Sequence, residues 1–187
     1  MLRFILFLGL ILHKVIWEVM KKRGSPNIHH RDDKLSLKSL VKFFKVMVLA
    51  FIIVQTLFLD IFPISNRPNV LRIIGTAIYF LGLAMAVIAR VQLGGSWANI
   101  EDRQVLPQQR LVTKGIYRYI RHPIYAGDIL LLVGLELALN SWLALGVIFI
   151  FVAVIKQVST EEHLLAQTIP AYEVYSRQTK RFIPFIF

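Results

Sequence analysis

The sequence predicts an all-α integral membrane protein, and three observations predict it. Hydrophobic residues fill 56% of the 187 positions, with a mean hydropathy of +0.61, which is more apolar than soluble domains usually are. Several apolar runs approach the ~20 residues a helix needs to cross a ~30 Å hydrocarbon core. The net charge of +11, from 22 Lys+Arg against 11 Asp+Glu, sits mainly at the flanks of those runs. That placement suits anionic lipid headgroups and a bilayer partner, not nucleic acid. The chain has no cysteine, which excludes disulfides, a thiolate nucleophile and cysteine zinc sites.

About five transmembrane helices are expected in one membrane domain, residues 1–187, with N-terminal spans in 1–92. Leu2–Met20 opens like a signal peptide, with Arg3 before an apolar run. No small-residue cleavage pattern follows it, and Lys21, Lys22 and Arg23 close it, so it reads as a retained span. Lys14 and Glu18 lie four apart within it and can neutralise each other. A polar loop over 21–41 leads to a second span, Val41–Phe62. The turn "FPISNRPN" leads to a third, Val70–Val91. "GGSW" then opens a polar segment, Gly94–Pro123.

The run Ile124–Ile155 is too long for one crossing and too short for two full crossings and a loop. "LNSW" interrupts it, and Ser141 is a suitable cap. A helical hairpin, Ile124–Leu139 and Trp142–Ile155, is therefore predicted in preference to one long tilted helix. Lys156–Phe187 has helical spacing and predicts a C-terminal surface helix ending in the apolar "RFIPFIF". Inside the hairpin, Asp128 lies near the interface, and Glu136 is a candidate for a polar contact between helices.

Basic residues set the orientation. Fourteen lie in the 21–41 loop, the 94–123 segment and the tail; Arg3, Arg67 and Arg72 are on the other side. The first side is therefore expected to be cytoplasmic and the N-terminus outside. The hairpin returns the chain to the side it left, so Arg121, His122 and Tyr125 can approach Glu161 and Glu162. That grouping can hold a zwitterionic small molecule. Bland readings stand beside it: Pro123 starting a helix, Tyr117, Tyr119, Tyr125 and Trp97 as interfacial aromatics, and the two glutamates as a solvated helix face. None of these predicts all the elements together. No dinucleotide-binding glycine pattern or P-loop is present. His29-His30 beside Asp32-Asp33 reads as a solvated cluster and not a metal site.

"LGGSW", "RLVTKGIYRYIRHPIYAG", "EEHLL" and "AYEVYSRQTKRFIP" resemble the isoprenylcysteine carboxyl methyltransferase family, a group that includes the phospholipid methyltransferases. The resemblance covers Leu93–Pro184 and makes 93–187 the catalytic region. It implies a methyltransferase that uses S-adenosylmethionine in a cytosolic pocket, with a lipophilic acceptor entering from the membrane. Carried over by position, the implied cofactor contacts are Gln109, Arg110, Leu111, Val112, Tyr117, His122, Pro123, Ile124, Tyr125 and Glu161. Gln109 stands where the family usually has His. Gln157 stands where it usually has an Arg that handles the acceptor carboxylate, and lacks that residue's charge and fork geometry. The acceptor is thus open among a prenylcysteine carboxylate, a phospholipid amine, a small thiol and an isoprenoid acid. Arg121 and Glu162 are the expected catalytic pair: Arg121 for an anionic acceptor head, Glu162 for an acceptor proton, which His122 or Tyr125 can also take. An NADPH-dependent membrane reductase and a transporter or assembly subunit are the rival readings.

Overall fold

The computed structural model describes residues 1–24, 37–94 and 111–186. Among these residues six α-helices carry the fold: α1 Leu2–Gly24, α2 Leu37–Phe58, α3 Asn69–Leu93, α4 Pro123–Ala138, α5 Val147–Thr168 and α6 Tyr172–Gln178. Among the described residues the only extended pairings are two isolated bridges, Pro63 with Ser141 and Ile120 with Lys180. Among the described residues, two helical stretches are long and apolar enough to cross a bilayer, Asn69–Leu93 and Trp142–Thr168. α4 has 16 residues, about 24 Å at 1.5 Å per residue, short of a full crossing. Large apolar side chains stand exposed along α2 and α5, among them Phe43, Phe44, Phe51, Ile148, Phe149 and Val152. A surface of that kind suits lipid far better than water.

α3 and α4 are the centre of the fold, and small residues set their approach. Gly75, Gly82 and Ala86 on α3 face Gly127, Gly134 and Ala138 on α4. A Cβ added at Gly127 would lie 2.6 Å from the backbone nitrogen of Ala86, and one at Gly134 would strike the backbone of Tyr79. Backbones so close exchange extensive van der Waals contact, the main attraction available between helices in lipid. α1 packs outside this pair. Leu6, Tyr79, Leu83, Leu131 and Leu135 form the core, and the Tyr79 hydroxyl donates to the Leu6 carbonyl at 2.7 Å.

Polar side chains close the ends of the bundle. Arg3 donates to the carbonyls of Gln55 and Leu59, both at 3.0 Å, and pairs with Asp60. It thereby adds a donor to carbonyls at and just past the end of α2, where intrahelical donors run out. Gln55 also donates to Glu136 at 2.7 Å in a buried site between α2 and α4, the interhelical polar contact expected of Glu136. Lys14 and Glu18 pair at 2.8 Å, as their spacing predicts.

The hairpin break falls where "LNSW" predicts it. Asn140 takes φ 59°, a left-handed conformation that Asn tolerates. The Ser141 hydroxyl accepts the Leu143 amide at 3.1 Å and caps the turn Trp142–Gly146. Asn140 then ties this tip to the α2–α3 connection through Ser65, accepting its amide at 3.0 Å and donating to its carbonyl at 2.8 Å.

Two expectations change. The second arm does not stop at Ile155, because α5 continues to Thr168. Lys156 ends the apolar run but not the backbone hydrogen bonding, and no Gly or Pro intervenes before Pro170. The tail is consequently not one surface helix: its first thirteen residues extend the hairpin arm, and its own helix is the short α6. Of "RFIPFIF", Phe182 is buried, while Ile183, Phe185 and Ile186 are exposed.

Candidate active site

Chain geometry at the start of α4 assembles the cluster. Pro123 occupies the first turn of the helix, with His122 at the N-cap position, so the residues just before α4 leave its axis and meet the tail. Arg121 donates its amide to the Lys180 carbonyl at 2.7 Å, and His122 to the Arg181 carbonyl at 3.0 Å. Lys180 returns a bond to the Tyr119 carbonyl at 3.2 Å. The tail thus lies beside residues 119–122 as a paired segment, with α5 packed across both.

Glu161 and Glu162 are adjacent on α5 and point about 100° apart, so each meets a different set. Glu162 gathers cations. Its Oε1 accepts from Arg121 Nε at 2.8 Å and faces His122 Nε2 at 3.2 Å, and its Oε2 accepts from Arg181 Nε at 2.9 Å. The Arg121 and Glu162 side chains are only 11% and 13% exposed, so this charge group is largely withdrawn from solvent. Arg121 also donates to the Ser176 carbonyl at 2.8 Å and to the Thr179 carbonyl. Glu161 has a sparser set: the Tyr125 hydroxyl at 3.3 Å and, at 4.0 Å, His122 Nδ1. His122 therefore sits between the two carboxylates, its ring 5.8 Å from that of Tyr125 and 6.1 Å from that of Phe182.

Tyr117 lies behind the cluster, its hydroxyl donating to the Ala89 carbonyl of α3 at 3.3 Å. Its own carbonyl accepts from Tyr175 at 2.8 Å. Burial pushes the Tyr117 and Tyr172 hydroxyls above the ordinary phenol range and that of Tyr175 up to about 12, so all three remain protonated donors. Pro123 is buried; Leu111, Val112 and Ile124 are half-buried; Gln157 is exposed, one turn before Glu161 on α5. Gln109 and Arg110 lie outside the described residues, as do Trp97 and the His29–Asp33 cluster.

Three contributors were not read from the sequence. Arg181 supplies a second guanidinium to Glu162, although "TKRF" looks like a solvated basic tail. Arg90, 1% exposed, donates to the Gly94 carbonyl at 2.9 Å at the end of α3. Its signal was a lone charge at the end of an apolar run. Tyr172 is 3% exposed and its buried hydroxyl has no hydrogen-bond partner. Leaving such a donor unpaired costs about 1–3 kcal/mol, so a ligand that accepts from it gains by doing so.

The phospholipid methyltransferase family matches residues 70–170, which span α3 from its second residue, all of α4 and α5, and both glutamates. The chain belongs to that family. Among its relatives, protein-S-isoprenylcysteine O-methyltransferase of Saccharomyces cerevisiae is 29% identical over 190 residues, covering 98% of this chain and 79% of the yeast protein. Nickel-cobalt-cadmium resistance protein NccN of Alcaligenes xylosoxydans xylosoxydans is 33% identical over 111 residues, covering 56% of this chain. The chain spans about half the length of that relative, 47%. The fold is similar to that of the eukaryotic intramembrane Ras methyltransferase ICMT, with a TM-score of 0.54 at 22% identity, covering 82% of this chain and 55% of that one. The family match and the Glu161–His122–Glu162 cluster occupy the same helices, so the most specific sequence motif is also the most highly organised polar region described.

Proposed function

We propose that this protein transfers a methyl group from S-adenosylmethionine to a lipophilic, membrane-borne acceptor. The observation that carries the reading is the Glu161–Tyr125 pair at the mouth of the α4–α5 hairpin, within the family match. The relatives named as isoprenylcysteine O-methyltransferases support the reaction class. Residues 93–187 form the catalytic region of a single membrane domain in this reading. About five helices enter the bilayer, the N-terminus lies outside, and the pocket and C-terminus face the cytoplasm.

The donor set fits the cofactor. S-adenosylmethionine carries an ammonium, a carboxylate and ribose hydroxyls. Glu161 offers acceptor oxygens with few competing protein donors, and Tyr172 offers a buried hydroxyl without a partner. Tyr125, His122 and Glu161 would hold it, with Tyr117, Pro123, Ile124, Leu111 and Val112 shaping the walls and Gln109 and Arg110 contributing from the polar segment. When bound, it supplies an activated methyl on a sulfonium sulfur.

The rest of the task is positioning and exclusion of water. Arg121 and Glu162 act here by position, not by contact with the acceptor. Arg121 spends its donors on Glu162 and on two carbonyls of the tail, and so latches the C-terminal segment over the hairpin mouth. Gln157, exposed beside the site, leaves the position expected to bind a carboxylate uncharged. The test is a labelled methyl-transfer assay on membranes containing the protein, with identification of the labelled lipid-soluble product. Absence of label above membranes carrying Glu161→Gln would contradict the reading.

A further inference from the structure

Among the polar pairs outside the cluster just described, one joins α1 to α4. His13 Nε2 on α1 faces Asp128 Oδ1 on α4 at 3.0 Å. The His13 ring stacks on Trp17 with centroids 4.1 Å apart. Asp128 lies three residues beyond Tyr125, on the same face of α4. The two side chains are 22% and 35% exposed, so the pair is reachable and not sealed in the core. Ionisable side chains on helices that enter the bilayer are costly to keep and normally mark a function.

The chemistry of the pair is specific. In a neutral imidazole one nitrogen donates and the other accepts. A carboxylate on Nε2 makes that nitrogen the donor and leaves Nδ1 as the base. The other groups suited to take a proton are committed: Glu162 to three cations, His122 to a place between two carboxylates, and Tyr125 to Glu161.

We propose that His13 and Asp128 form a proton-accepting dyad for the methyl acceptor, which makes this acceptor one whose reacting atom carries a proton to lose. The proposal rests on the methyltransferase reading above. For a nitrogen acceptor the balance is simple. The ammonium N–H bond breaks and its proton passes to His13. The freed pair forms the N–CH3 bond as the S–CH3 bond of the donor breaks, and sulfur keeps those electrons as a neutral thioether. Nothing is oxidised or reduced. A carboxylate acceptor, already ionised, makes no use of the dyad.

The test uses full-length protein in vesicles with two probes: a phospholipid with a primary-amine headgroup, and an N-acetylated prenylcysteine. His13→Gln and Asp128→Asn are compared with the unaltered protein for turnover, KM, melting temperature and calorimetric binding of S-adenosylhomocysteine. The expected result is methylation of the amine lipid by the unaltered protein and a fall in kcat of about 100-fold or more in His13→Gln. S-adenosylhomocysteine affinity, melting temperature and KM stay close to unaltered values. Asp128→Asn, which can still hydrogen-bond, loses kcat in the same direction. Amine turnover within threefold of the unaltered protein in both variants overturns the proposal. So does methylation of the prenylcysteine alone, or a loss explained by a lower melting temperature, which marks a packing contact. Failure of the unaltered protein to bind S-adenosylhomocysteine overturns the cofactor reading itself and the dyad with it.

Discussion

Arg121 Nε donates to Glu162 Oε1 at 2.8 Å, across 41 residues of sequence. The bond joins the entrance of α4 to the polar end of α5, and Arg181 and His122 complete the charge group from the tail and the N-cap. Removing the anion leaves the largely buried Arg121 and the partly exposed Arg181 without their shared partner. Glu162→Gln is therefore expected to destabilise the protein by roughly 3 kcal/mol, as loss of one partner of a buried ion pair does. Thermal unfolding in detergent checks this. Protease cleavage of the tail after Thr168 is expected to rise in parallel.

The α3–α4 contact makes an independent prediction. Gly134→Ala puts a methyl group against the backbone of Tyr79, which cannot give way as a side chain would. A loss of about 1–3 kcal/mol follows from forced separation of the helices. Gly146→Ala is the control: nothing lies within 4 Å of its added Cβ, so its effect should stay within about 0.5 kcal/mol. Equal melting temperatures for the two variants would contradict the close packing.

The Gln55–Glu136 bond supports a double-mutant cycle. Gln55→Leu leaves the Glu136 carboxylate without its 2.7 Å donor and is expected to cost about 1–3 kcal/mol. Gln55→Leu combined with Glu136→Leu should recover part of that loss. Additive effects of the two single changes would show that the pair is not coupled.

Gln157 allows a gain-of-function test. If its neutral side chain is what disfavours a carboxylate acceptor, Gln157→Arg should raise turnover on a prenylcysteine analogue severalfold. The same change should leave S-adenosylhomocysteine affinity unaltered. No gain in turnover would mean that another position sets acceptor choice.

The sequence carried some of this plainly. "LNSW" marked the hairpin tip because Asn and Ser have local reasons to break a helix there, and the structure uses both. "RHPIY" and "EE" were readable as partners because a hairpin must return the chain to the side it left. Other features depend on distance in sequence or on a change of polarity without a change of conformation. The end of α5 was misplaced at Ile155 because periodicity tracks side-chain polarity, whereas the helix continues on backbone hydrogen bonds to Thr168. Arg3 at the end of α2, and His13 beside Asp128, join residues 56 and 115 apart, and no local pattern encodes either. Tyr172 was visible only as one aromatic of "AYEVYS"; that its hydroxyl is buried and unpartnered emerges from packing alone.

The central claim is that the Glu161–Tyr125 pair, under the latched tail, holds the methyl donor. Calorimetric titration of the purified protein with S-adenosylhomocysteine tests it most directly, using Glu161→Gln and Tyr125→Phe as the comparison. The account predicts binding by the unaltered protein, at least tenfold weaker binding in Glu161→Gln, and a smaller loss in Tyr125→Phe, with melting temperatures held. Unchanged affinity in both variants would contradict it.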